Sequence, residues 1–157
     1  MAAENCFKGL RMPFFEYLRV SITDRCNLRC VYCMPEEGIP KLGHDQVLRY
    51  EEILTIVKAA MEEGVFRIRV TGGEPLVRKG VSSFLTEVAR VAGLRDLALT
   101  TNGMLLKEMA SSLKIAGLMR VNVSLDSLQP ERFAKLTRGG DLMKVLDLDS
   151  SLGARKE

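Results

Sequence analysis

The chain has 157 residues, enough for one domain with a buried core and too few for several. With 46% hydrophobic and 27% charged residues it has the balance of an ordinary folded protein, and its net charge of +3, spread rather than clustered, gives no reason to expect a nucleic-acid partner. No apolar run approaches the roughly 20 residues of a membrane span, residues 1–10 hold no apolar signal segment, and four cysteines without an export signal fit the reducing cytoplasm.

Residues 1–16 read as an N-terminal extension, and Cys6 within them stands apart as a bystander. Leu18, Val20 and Ile22 then alternate with Arg19, Ser21 and Thr23, which predicts a first strand. Directly after it, Cys26, Cys30 and Cys33 form a C-x3-C-x2-C cluster. Three thiols this close cannot all pair as disulfides, and they fall one short of a closed zinc site or of the four ligands of a simple electron-transfer iron–sulfur centre. Three ligands on a four-iron cube leave one iron open to bind a small molecule. A zinc knuckle and a redox pair of thiols are the other readings of the spacing. His44 falls in a predicted loop and is read as a bystander.

The apolar period next becomes helical over 51–63, with Ile53, Leu54, Val57 and Met61 on one face and Gly64 as the stop. Phe66, Ile68 and Val70, alternating with Arg67 and Arg69, predict a second strand, which runs into Thr71-Gly72-Gly73-Glu74-Pro75. Paired glycines let a ligand come close to the backbone, although Gly-Gly also serves plain turns. A helix over 81–91 ends near Gly93, Leu97 and Leu99 mark a third strand ending in Thr100-Thr101-Asn102-Gly103, and a further helix covers 105–116. Val121, Val123 and Leu125 give the fourth strand, which leads into Ser124-Leu125-Asp126, and Pro130 opens a final helix. Residues 146–152 suggest the beginning of another.

Alternating strands and helices predict an α/β fold of right-handed βαβ units on a parallel sheet. One strand face is apolar and belongs under the helices. The other carries Arg19, Ser21, Thr23, Arg67, Arg69, Thr100, Asn122 and Ser124. Closed barrels fill that face with branched apolar side chains, so a polar one suggests an open, curved sheet around a polar ligand. All four unusual turns lie at carboxyl ends of strands, the rim where α/β folds bind ligands.

The string Thr23-Asp24-Arg25-Cys26-Asn27-Leu28-Arg29-Cys30-Val31-Tyr32-Cys33-Met34-Pro35 resembles the cluster loop of the GTP 3′,8-cyclase family of radical S-adenosylmethionine enzymes. Arg69-Val70-Thr71-Gly72-Gly73-Glu74-Pro75-Leu76, Thr100-Thr101-Asn102-Gly103 and Asn122-Val123-Ser124-Leu125-Asp126-Ser127 resemble the same family in the same order. The resemblance implies a radical S-adenosylmethionine core over 17–145, a partial (β/α) barrel cut after about four βα units, followed by a tail over 146–157. It implies that Cys26, Cys30 and Cys33 hold a 4Fe–4S cluster, and that Tyr32, Gly73 and Ser124 bind S-adenosylmethionine. Arg19, Arg69 and Thr100 would bind GTP, two guanidinium forks suiting triphosphate oxygens.

The implied reaction cleaves S-adenosylmethionine with one electron, removes hydrogen from C3′ of GTP and joins that carbon to C8 of guanine, on the way to molybdenum cofactor. Implied partners are GTP, an electron-donating reductant and a second copy of the chain in a homodimer, with no nucleic acid and no membrane. The chain departs from the family where a second 4Fe–4S cluster would be held, since no cysteine follows Cys33. The expectation is of an incomplete core with an open sheet edge. The competing functions are a peptide-modifying radical S-adenosylmethionine enzyme and a non-catalytic metal-binding remnant.

Overall fold

A computed structural model of the protein describes residues 15–40 and 42–147. Cys6 and most of the 146–152 run lie outside them. Four strands, β1 (Tyr17–Ser21), β2 (Arg67–Thr71), β3 (Asp96–Thr101) and β4 (Arg120–Val123), form one parallel sheet in the order β1-β2-β3-β4. Each connection carries a helix: α1 (Tyr50–Glu62), α2 (Val81–Ala89) and α3 (Leu106–Ile115). Two shorter helices, α4 (Pro130–Thr137) and α5 (Leu142–Leu146), follow β4. The parallel α/β arrangement and all four strands agree with the sequence reading. Among the described residues no helix is long and apolar enough to cross a membrane.

Local chemistry sets the element ends. In α1, Glu52 at the third position reaches back to accept the Arg49 backbone N–H at 2.7 Å, and Glu51 and Glu52 place negative charge at the positive end of the helix. The helix stops at Gly64, whose φ of +101° only glycine adopts without strain. Pro130 begins α4, where a missing N–H costs nothing. His44 lies in a short 3₁₀ turn over His44–Gln46 rather than in a loop. The helix at Pro130 is not the last: α5 follows, its first turn capped by Asp141, whose side chain accepts the Met143 N–H at 2.9 Å. Leu125 lies past the end of β4.

The strand alternation holds. Leu18 and Val20 pack against the buried Ile22, Ile68, Val70, Leu97 and Leu99 and against the inward stripes of α1, α2 and α3, including Ile53, Val57, Leu85, Val88 and Leu113. Tyr50 stacks on Phe84 at 4.6 Å between ring centroids and carries the Arg78 guanidinium on its ring, which ties α1 to α2. Leu99 has no exposed surface. Truncating it to alanine should cost about 3 kcal/mol, the middle of the range for cavity-forming substitutions. The melting temperature should then fall by roughly 6–12 °C for a domain of this size. A fall below about 2 °C in a thermal melt would mean that this layer is not packed as described. A smaller cluster of Phe133, Leu142 and Val145 seats α4 and α5 against Met104, Val123 and Leu125, at the carboxyl end of β4.

Among the described residues, no helix covers the opposite face. Register places Arg19 beside Arg69, Arg69 beside Ala98 and Thr100 beside Asn122. Arg19, Ser21, Arg67, Asn122 and Ser124 are exposed there as the alternation predicts, whereas Thr23, placed on the same face, is buried, as is Ala98.

Candidate functional site

The cysteine loop leaves β1 at the carboxyl rim and is held from three sides. From β2, Gly73 donates its N–H to the Thr23 carbonyl at 2.7 Å and Glu74 donates to the Arg25 carbonyl at 2.8 Å. This contact explains the paired glycines: a Cβ on Gly72 would lie 2.7 Å from Thr23 O, and one on Gly73 2.5 Å from Arg25 O. From β3, Asn102 Nδ2 donates to Asn27 Oδ1 at 2.8 Å. From the far end of α4, Thr137 and Leu136 accept the Arg29 and Val31 N–H groups at 3.2 and 2.9 Å. Arg138 adds two bonds from Nη1, to the carbonyls of Arg29 at 3.0 Å and Met34 at 2.8 Å. It does so from a left-handed backbone with φ of +51°, an uncommon conformation for a side chain of this size.

Cys26, Cys30 and Cys33 are free thiols, the first two half-buried and the third exposed. Cys26 Sγ accepts the Leu28 N–H at 3.4 Å and faces Asn102 Nδ2 at 3.8 Å. The Cys33 and Met34 N–H groups fold back on the Cys30 carbonyl at 2.9 and 3.2 Å, a tight turn that brings the last two cysteines near each other. Burial pushes the Cys26 and Cys30 thiols above the ordinary cysteine value, so a metal's positive charge is what would deprotonate them.

Among the described residues, no three of His, Cys, Asp and Glu converge tightly enough to hold a single ion. Three thiolates on one zinc at about 2.3 Å would stand within roughly 4 Å of one another. Three thiolates on one loop match the donor number of a 4Fe–4S cube that keeps one corner open.

The remaining residues expected from the sequence fall on two levels. Tyr32, Gly73 and Ser124 lie at the rim. The Tyr32 hydroxyl donates to Asp126 Oδ2 at 2.5 Å, bridging the cysteine loop to the end of β4, and that bond is the main cause pushing the phenol's pKa up. Ser124 donates its N–H to Thr101 O at 2.8 Å. Arg19, Arg69 and Thr100 lie within the strands, on the open face. Arg69 Nε is buried and is the single such side-chain atom among the described residues with no hydrogen-bond partner, while its guanidinium sits 5.4 Å over the Tyr17 ring.

Three residues with large structural parts were not singled out from the sequence: Glu74, Asn102 and Arg138. Glu74 has no exposed surface; burial pushes its carboxyl up, opposed by three hydrogen bonds that hold it down. The sequence signal for Glu74 was its place just before Pro75, the N-cap of a 3₁₀ turn over Pro75–Val77.

A parallel α/β sheet that collects three free thiols and a glycine-lined backbone on one rim is a cluster-binding domain. The chain belongs to the radical SAM superfamily, whose family model matches residues 20–148. The cofactors of that superfamily are a 4Fe–4S cluster and S-adenosylmethionine, and the donor set described above fits the first of them.

Relatives named GTP 3′,8-cyclase include those of Geobacter sulfurreducens, 57% identical over 131 residues, and Pelotomaculum thermopropionicum, 60% identical over 126. The alignments cover 83% and 80% of this chain and 40% and 39% of those proteins. The chain thus spans about 40% of the length of the curated relatives it matches. In fold it is similar to Streptococcus suis SuiB bound to S-adenosylmethionine, with a TM-score of 0.68 and 18% identity, covering 89% of this chain and 31% of that one.

Proposed function

We propose that the chain holds a 4Fe–4S cluster through Cys26, Cys30 and Cys33, binds S-adenosylmethionine beside it, and serves the cyclisation of GTP in molybdenum cofactor biosynthesis in the cytoplasm. The observation that carries this reading is the meeting of three free thiols, the Gly73 backbone and Ser124 on one rim, next to a polar face bearing the unpartnered Arg69 Nε. The cluster and S-adenosylmethionine together supply one-electron, hydrogen-abstracting chemistry. The protein's part is to bind and orient.

An ammonium only donates, so Gly73 would receive the methionine amino group through its carbonyl, its N–H being already given to Thr23. Ser124 would bond S-adenosylmethionine through its hydroxyl, its N–H being given to Thr101. Tyr32 would meet the adenine through its backbone while its hydroxyl stays on Asp126. Arg19 and Arg69, neighbours in register, would grip the triphosphate, and Thr100 would add a hydroxyl on the same face.

The test is anaerobic reconstitution with iron and sulfide. EPR of the reduced chain with and without S-adenosylmethionine should then show a cluster signal that changes when the cosubstrate is added. No signal, or one indifferent to it, refutes the cofactor assignment. GTP binding, read by calorimetry on the reconstituted chain, should weaken at least about tenfold when Arg19→Ala and Arg69→Ala are combined, since each charged hydrogen bond contributes roughly 1.5–3 kcal/mol. Unchanged binding would rule out the nucleotide and leave a substrate without a triphosphate, such as a peptide.

A further inference from the structure

Glu74 is a fully buried carboxylate whose three hydrogen-bond partners are neutral donors, one from the turn after it and two from the adjacent Thr101 and Asn102. Its Oε1 accepts the Leu76 N–H at 3.0 Å and the Thr101 hydroxyl at 2.8 Å, and its Oε2 accepts the Asn102 N–H at 2.7 Å. Burying such a group costs several kcal/mol unless its bonds are made, so it is a costly choice for holding a turn. What it fixes is the backbone of Asn102.

The Asn102 side chain is then fixed in turn. Its Oδ1 accepts the Met104 N–H at 3.0 Å, which decides which way the amide faces. Its Nδ2 therefore points at the cysteine loop, onto Asn27 Oδ1 at 2.8 Å and toward Cys26 Sγ at 3.8 Å. N–H groups aimed at a ligating sulfur stabilise the more negative, reduced form of an iron–sulfur centre, and the residues behind a ligand orient it.

We propose that Glu74 is a positioning residue that acts through Asn102 on the Cys26 sulfur, and that the Asn102 amide it aims there raises the reduction potential of the group that sulfur holds. This rests on the reading that Cys26, Cys30 and Cys33 carry a 4Fe–4S cluster.

The test compares the reconstituted wild-type chain with Asn102→Asp and Glu74→Gln, reading iron per chain, midpoint potential by redox titration, and the EPR g-values. Asn102→Asp keeps the oxygen that accepts the Met104 N–H and turns the donor facing Cys26 into an acceptor. In the chains that load iron it should shift to lower potential, so that the reduced-to-oxidised ratio at the wild-type midpoint falls by roughly three- to tenfold, with altered g-values. Glu74→Gln confronts one of its three donors with an amide NH₂ and, by releasing Asn102, should alter the g-values as Asn102→Asp does. Its potential is not the readout, because losing the carboxylate charge moves it up while losing the Asn102 donor moves it down.

A lower potential in Asn102→Asp, with altered g-values in both variants, supports the relay. An unchanged potential and spectrum in Asn102→Asp overturn it, even if Glu74→Gln fails to fold. A folded, iron-loaded Glu74→Gln with wild-type g-values removes Glu74 from it. A wild-type chain that takes up no iron brings down the reading of the three cysteines and this inference together, an outcome distinct from the others.

Discussion

Alanine in place of Cys26, Cys30 or Cys33, one at a time, is expected to leave the reconstituted chain without a stable cluster, its iron falling from about four per chain toward zero. The size of the effect follows from the donor count. No fourth cysteine is available among the described residues, and Asp126, the acid acting on Cys30, is committed to the Tyr32 hydroxyl. Two thiolates leave two irons without protein donors, and a group so held is lost to solvent or chelators.

The loop itself should survive, because main-chain bonds and Arg138 hold it rather than the sulfurs. Melting of the metal-free variants should therefore stay within about 1 kcal/mol of the wild type. Iron and sulfide assays beside a thermal melt check both halves. Retention of a full cluster by any one alanine variant would remove that cysteine from the ligand set. Equal loss of stability and of iron would mean that the loop, not the ligand, was damaged.

Gly73→Ala is expected to have the second largest effect, and by a different route. Its new Cβ would lie 2.5 Å from Arg25 O, 2.8 Å from Arg25 C and 2.9 Å from Asp24 O. All three are main-chain atoms, with no side chain to swing aside. Relief requires the cysteine loop to move off β2, which breaks the bonds from Gly73 N–H to Thr23 and from Glu74 N–H to Arg25. Overpacking of this kind costs about 1–3 kcal/mol, and two strained backbone bonds place it at the upper end.

The displaced segment runs into Cys26, so cluster uptake should fall together with stability. Chemical denaturation and iron content on the same preparation would read both. A variant as stable as wild type and fully loaded would show that the loop and the glycine turn are not in the contact described here. Gly139, whose Cβ would meet nothing within 4 Å, is the natural comparison for crowding, although its φ of +105° carries a strain of its own.

Much of the architecture is legible in the chain because strand and helix periods differ so plainly. Leu18, Val20, Ile68, Val70, Leu97 and Leu99 alternate, and the sheet puts all six on the helix side. That parity brought Arg19 and Arg69 to one face before any register was known. Element ends were less readable: the 3₁₀ turn at His44 and helix α5 are each too short to show a period, and α5 announces itself only through Asp141. The cysteine triad was legible from spacing. The Tyr32–Asp126 bond, the Glu74–Asn102 relay and the Arg138 clamp were not, since each joins residues 28 or more positions apart through side chains whose types carry no local signal.

The Arg138 clamp also bears on the order of events during synthesis. The three thiols emerge early, yet some of the groups that hold their loop in shape come much later: Arg138 reaches back across 109 positions to Arg29, and Leu136 and Thr137 close the same loop beside it. At about 5–20 residues per second, a ribosome needs roughly 5–20 s to cover that distance. Through that interval the nascent chain displays three unshaped thiols that any soft metal ion or oxidant can reach. The shape of the cysteine loop is therefore complete only once α4 has docked.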